Sequence, residues 1–173
     1  MQAEAAAFVE RHALHDVLGR AGRVIQVGSA VTGLMVWRDL DFGVDAPGLV
    51  RDDAWELMRP LVRAASSLRY EDDTGERRHY FVLKLDNWKL DVSLWYSGVP
   101  SGVEPFQAEL QSRLDEQTRL IILRLKDVWW GEPSYPEIVS GFEIYDAVLN
   151  HGVQTLAELD RYLGERGLPP RVL

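Results

Sequence analysis

The chain has no cysteine. That excludes disulfides and every thiolate-based metal or redox site, and nothing then points to an oxidising compartment. Long apolar runs are also missing, the longest falling far short of the ~20 residues that span a bilayer. The opening residues, Met1-Gln2-Ala3-Glu4, carry none of the basic stretch that begins a signal peptide. The expectation is a cytoplasmic protein with no membrane partner. Positive charge is in deficit: 27 acidic against 19 basic side chains leave a net charge of −8, a poor balance for gripping a polyanionic backbone. Local basic patches remain, such as Arg77-Arg78-His79 with Lys84 and Lys89. No internal repeat or low-complexity linker interrupts the chain.

What is present suffices for a core. The 173 residues, 46% of them hydrophobic and six of them Trp, fit one domain or one domain with a helical appendage. The pattern is organised around Val24 to Asp45. The apolar run Val24-Ile25-Gln26-Val27 ends in Gly28-Ser29, a short helix to about Met35 follows, and Asp39 to Val44 forms a second strand. Alternation along that strand puts Leu40, Phe42 and Val44 on one face and Asp39, Asp41 and Gly43 on the other. Two carboxylates on neighbouring same-side positions repel unless something cationic sits with them, and oxygen ligands suit Mg²⁺. Gly28 permits close backbone approach, and Ser29 at a helix start offers amide and hydroxyl donors to phosphate oxygens.

Around this stretch, Ala3 to Arg20 has the composition of one helix, with Gly22 where its C-terminus needs a glycine. His12 and His15, three apart on it, have metal-binding spacing but no repeated carboxylate partner, and read as solvated or capping residues. Asp53-x-x-Glu56 resembles a capping box opening a helix to about Leu68, and the acidic run from Glu71 to Glu76 reads as a solvated turn. Next, Tyr80 to Leu85 and Trp88 to Trp95 flank Asp86-Asn87, two residues tolerant of left-handed geometry, which predicts a hairpin. Pairing across it sets Leu85 with Trp88, Leu83 with Leu90 and Phe81 with Val92 on one face. Val82 with Asp91 and Lys84 with Lys89 occupy the other. Asp91 is therefore an acid in mid-strand, where a carboxylate needs solvent or a partner. After Pro100 the spacing is helical: Pro105 to about Leu114, Gln117 to about Trp130, Pro136 to Asn150, and Leu156 to about Arg166, the last opened by the capping box Thr155-x-x-Glu158. The expected class is α+β, a mixed sheet flanked by helices over residues 1–100 and a C-terminal helical region over 101–173 packed on that core.

Transfer of a nucleoside monophosphate to a hydroxyl needs an anchored triphosphate, charge neutralisation at the α-phosphorus and leaving pyrophosphate, and an in-line nucleophile. Two same-side aspartates plus a third acid from a neighbouring strand form a minimal cage for two metal ions ~3.5–4 Å apart. Alone, Asp39 and Asp41 read equally well as the solvent face of a strand, and Asp91 as a partner for Lys84 or Lys89. Their combination with Gly28-Ser29 is what points to chemistry. That combination, Gly28-Ser29-Ala-Val-Thr-Gly33, then Asp39-Leu-Asp41, then Leu90-Asp91-Val92, resembles the signature of the nucleotidyltransferase superfamily related to DNA polymerase β, over Arg23 to Trp95. The resemblance implies that Gly28 and Ser29 bind the triphosphate and that Asp39 and Asp41 ligate both metals. Asp91 would complete the catalytic and metal site and help deprotonate the acceptor hydroxyl. Arg38 departs from the pattern, since many members carry Ser there. The cofactor implied is Mg²⁺ or Mn²⁺, with ATP or another nucleoside triphosphate as substrate.

A looser similarity covers Arg119 to Trp130 and Ser134-Tyr135, which are similar to the helical region of poly(A)-polymerase-like and oligoadenylate-synthetase-like enzymes. It implies that Lys126, Ser134 and Tyr135 contact the triphosphate and base. The alternative makes Lys126 a surface cation and Tyr135 a turn aromatic. Compact antibiotic-modifying nucleotidyltransferases suit the size and acidity, so a small-molecule or protein acceptor is expected ahead of nucleic acid. The competing class is a nucleotide-binding or regulatory module, such as half of a toxin–antitoxin pair, that keeps this fold with little turnover.

Overall fold

Five segments with strand alternation build one mixed sheet in the computed structural model, which describes residues 1–172. They are β1 (Arg23–Val27), β2 (Asp39–Asp45), β3 (Ser67–Asp73), β4 (Arg78–Leu85) and β5 (Trp88–Trp95), in the spatial order β1-β2-β5-β4-β3. β2 and β5 run parallel, and the other neighbours are antiparallel. Helices α1 (Gln2–Arg11), α2 (Leu14–Leu18), α3 (Ser29–Thr32) and α4 (Arg51–Ala64) share a unit with this sheet that extends over Met1–Ala108. Helix α5 (Val103–Arg113) runs through the division point, and α6 (Glu116–Trp129), α7 (Gly141–His151) and α8 (Leu156–Glu165) lie in the second unit.

The period of two sorts the sheet into a core face and a charged face. Leu40, Phe42 and Val44 of β2, Phe81, Leu83 and Leu85 of β4, and Leu90, Val92 and Leu94 of β5 are each no more than 2% exposed. They pack with Phe8, Leu14, Leu18 and Met58 from the helices, and this burial is the main stabilising term of the unit. The opposite face carries Asp39, Asp41, Lys89 and Asp91. The hairpin forms in the expected register, Leu85 opposite Trp88 through Phe81 opposite Val92. Asp86 and Asn87 both take positive φ, 47° and 64°, as a two-residue turn between twisted strands requires.

Several elements differ from the sequence expectation. The single helix expected over Ala3 to Arg20 is two, broken at Ala13, which adopts a left-handed conformation. There His12 ends α1 with its Nε2 2.9 Å from Asp86 Oδ2, while Leu14 and Leu18 turn into the core. Gly22 does not end a helix; a Cβ there would fall 1.9 Å from the Asp45 carbonyl oxygen, so the glycine allows a close backbone approach. Helix α4 starts at Arg51 behind Val50, without a side-chain cap, and stops at Ala64 rather than Leu68. Asp53 and Glu56 therefore lie inside it. Of the expected acidic turn, Thr74 to Glu76 form the turn, and Glu71 to Asp73 belong to strand β3, paired with β4 from Ser67–Lys84 to Asp73–Arg78. Its charges are what an edge strand uses against pairing with other chains.

In the second unit each helix has a physical start signal. The Asp115 carboxylate accepts the Thr118 N–H at 2.7 Å; Ser140 with Glu143 and Thr155 with Glu158 form capping boxes. Helix α7 thus begins at Gly141 instead of Pro136, and residues 131–138 are turns. Ile122, Leu125, Trp129, Ile144, Ala147, Leu159 and Leu163 are fully buried there. Among the described residues, no helix is long and apolar enough to cross a membrane.

Candidate metal centre

Parallel pairing of β2 with β5 sets Asp41 opposite Asp91 and Asp39 opposite Lys89. All four side chains then share the charged face, because positions 39 and 41 on one strand and 89 and 91 on the other have the same parity. Asp39, Asp41 and Asp91 each offer a carboxylate oxygen lying within 4.8 Å of the other two. Asp91 is 9% exposed, and its Oδ1 is buried and accepts no hydrogen bond from any described residue. A buried anionic oxygen without a donor is costly. Convergent hard oxygen donors with spare acceptor capacity fit a divalent cation such as Mg²⁺ or Mn²⁺.

Lys89 brings a cation to these acids. Its Nζ donates to Asp91 Oδ2 at 2.6 Å and lies 3.6 Å from Asp39 Oδ1. Partial burial alone would disfavour the ammonium, but the charges of Asp39 and Asp91 outweigh it and hold the Lys89 pKa above the ordinary lysine range. The Trp37 ring lies 5.3 Å from the same ammonium. On the neighbouring strand, burial first and then the Asp91 charge push up the pKa of the Tyr80 phenol.

Gly28 closes one side of the cluster. Its φ of 75° and ψ of −159° belong to a region open almost only to glycine, and a Cβ built on it would lie 2.1 Å from Asp41 Oδ2. Ser29, buried, opens α3. The Gly28 N–H donates to Gln107 Oε1 at 3.0 Å, an acceptor that the sequence did not reveal. That bond turns Gln107 Nε2 away, where it is buried without a hydrogen-bond partner among the described residues. The structure thus brings Gly28, Ser29, Asp39, Asp41 and Asp91 onto neighbouring segments of the first unit.

Lys126, Ser134 and Tyr135 belong to the second unit. Lys126 is not a surface cation: it is 2% exposed, and its Nζ donates to the Tyr145 hydroxyl at 3.1 Å. Ser134 and Tyr135 lie in the turns after α6, where the Ser134 carbonyl accepts the Ile138 and Val139 N–H groups. Because its stem is packed, Lys126→Ala should destabilise the protein by about 2–5 kcal/mol, as core truncations do. Chemical denaturation measures this, and an unchanged midpoint would show that the stem contributes no packing.

No protein-family model and no curated protein matches the sequence. Solved structures do share its fold. A cytoplasmic RNA terminal U-transferase superposes with a TM-score of 0.63 at 16% identity, over 87% of this chain and 46% of that one. The Cid1 poly(U) polymerase with Mg and 3′-dATP bound gives 0.60 at 17% identity, over 83% of this chain and 47% of its own. The conserved protein GrpB from Enterococcus faecalis gives 0.53 at 16%, over 91% and 90%. The chain therefore spans about half the length of the transferases and nearly all of GrpB.

Proposed function

We propose that the protein transfers a nucleoside monophosphate from a nucleoside triphosphate, ATP being the first to test, to a hydroxyl acceptor on a small molecule or protein. The observation that carries this reading is the convergence of Asp39, Asp41 and Asp91 beside Gly28. Those three aspartates would hold Mg²⁺ or Mn²⁺, which when bound supplies Lewis-acid neutralisation of phosphate charge, in the two-ion form where both sites fill. Gly28 and Ser29 orient the phosphates, with Gln107 giving up the Gly28 N–H as they enter. Asp91 Oδ1, which accepts no hydrogen bond from any described residue, takes the acceptor's hydroxyl proton.

The test is pyrophosphate release from each nucleoside triphosphate with Mg²⁺ or Mn²⁺, against pooled small molecules, proteins and RNA. RNA is included because one structural neighbour is an RNA terminal U-transferase. Acceptor-dependent release that Asp91→Asn abolishes supports the reading. A second reading, a nucleotide-binding module with little turnover, draws on the ion pair between Lys89 and Asp91. It predicts nucleotide binding with no release from any pool, and that result would overturn the first.

A further inference from the structure

We infer that Lys89 is an internal counter-ion that competes with the divalent metal for Asp39 and Asp91, so that metal entry requires its ammonium to move off the cluster. The inference rests on the metal-site reading above. Its geometric basis is the position of Nζ, 2.6 Å from Asp91 Oδ2 and 3.6 Å from Asp39 Oδ1, on two of the three carboxylates that a metal would use. An ammonium in hydrogen-bond contact with Asp91 and a divalent ion on the same oxygens would repel strongly at that range. The two cations therefore exclude each other.

The strand register explains why it is this lysine. Lys89 stands directly across from Asp39 and two residues before Asp91 on the same face, so its flexible stem needs no backbone change to reach or leave the acids. The Trp37 ring lies 5.3 Å from the ammonium in this same position, a cation–π contact beside the two ion pairs. Lys84, the cross-strand neighbour of Lys89 in the hairpin, shares the face but makes no ion pair with the cluster among the described residues. It supplies the comparison for general electrostatics.

The experiment is calorimetric titration of Mn²⁺ into wild type, Lys89→Met, Lys89→Gln and Lys84→Met, with metal-free melting curves of each in chelator. Removing the competing charge should tighten Mn²⁺ binding roughly tenfold or more in both Lys89 variants, and about twofold or less in Lys84→Met. Without metal, both Lys89 variants should melt about 2–4 °C or more below wild type, because Asp39 and Asp91 lose their counter-ion. Adding Asp91→Asn to Lys89→Met should recover part of that loss. Equal Mn²⁺ affinity in wild type and both Lys89 variants would overturn the counter-ion role while leaving the metal site standing. Absence of Mn²⁺ binding in all four proteins would instead remove the metal site itself, and with it this inference. Should Lys89→Met not fold, Lys89→Gln, closer in polarity, carries the comparison.

Discussion

Gly28→Ala should abolish both metal binding and nucleotidyl transfer while leaving a folded, less stable protein. Two effects add at this position. The backbone sits at φ 75° and ψ −159°, where a non-glycine residue costs about 1–3 kcal/mol. The new Cβ would also lie 2.1 Å from Asp41 Oδ2 and 2.9 Å from its Cγ, so the Asp41 side chain must leave its place among the carboxylates. Gly48→Ala separates the effects. Gly48 also has positive φ, 80°, but a Cβ there meets nothing within 4 Å. It should show the backbone cost alone and bind Mn²⁺ as wild type does. Melting curves and Mn²⁺ titration of both variants make the comparison; loss of metal binding in both, or in neither, would refute the role given to Gly28.

The second large effect is expected at the acids. Asp39→Asn, Asp41→Asn and Asp91→Asn should each lower turnover by more than the roughly 10–100-fold typical of residues behind a metal's direct ligands. Metal-free stability should change little, by no more than about 1 kcal/mol, because Lys89 keeps Asp39, Asp91 or both in each variant and any loss of an ion pair is offset by relief of repulsion. Structural aspartates would behave the other way, costing several kcal/mol on removal and leaving turnover intact. Denaturation in chelator and initial rates with an identified acceptor tell the two apart.

Local signals in the sequence carried most of what positions this site. Alternation alone sorted Asp39 and Asp41 from Leu40, Phe42 and Val44, since a strand's period of two leaves no other arrangement with one face buried. The hairpin was legible because Asp86-Asn87 and the cross-strand partners constrain each other over a few residues. The parallel pairing of β2 with β5 was not, because nothing local fixes which strand lies beside which across some fifty intervening residues. That pairing is what sets Asp91 beside Asp41 and Lys89 beside Asp39. Strand β3 was hidden for a different reason: Ser67-Leu-Arg-Tyr-Glu-Asp-Asp is an edge strand whose composition answers to solvent. The break at Ala13 comes beside a contact of His12 with Asp86, 74 residues away, and helix propensity gives no sign of it. The burial of Lys126 decides against the alternative of a surface cation, and sequence alone could not decide it, because a long aliphatic stem can be packed in an interior as readily as laid on a surface.

The most direct measurement is thermal melting of wild type and the three Asp→Asn variants, each with and without Mg²⁺ plus each nucleoside triphosphate. A ligand that binds only the folded state raises its stability by mass action, ~2.7 kcal/mol at a hundred times Kd. Wild type should gain several degrees with Mg²⁺ and at least one nucleoside triphosphate together, and Asp39→Asn, Asp41→Asn and Asp91→Asn should gain little or nothing. Stabilisation of the three variants equal to that of wild type, or none in wild type with any triphosphate, would contradict a metal–nucleotide site at these aspartates.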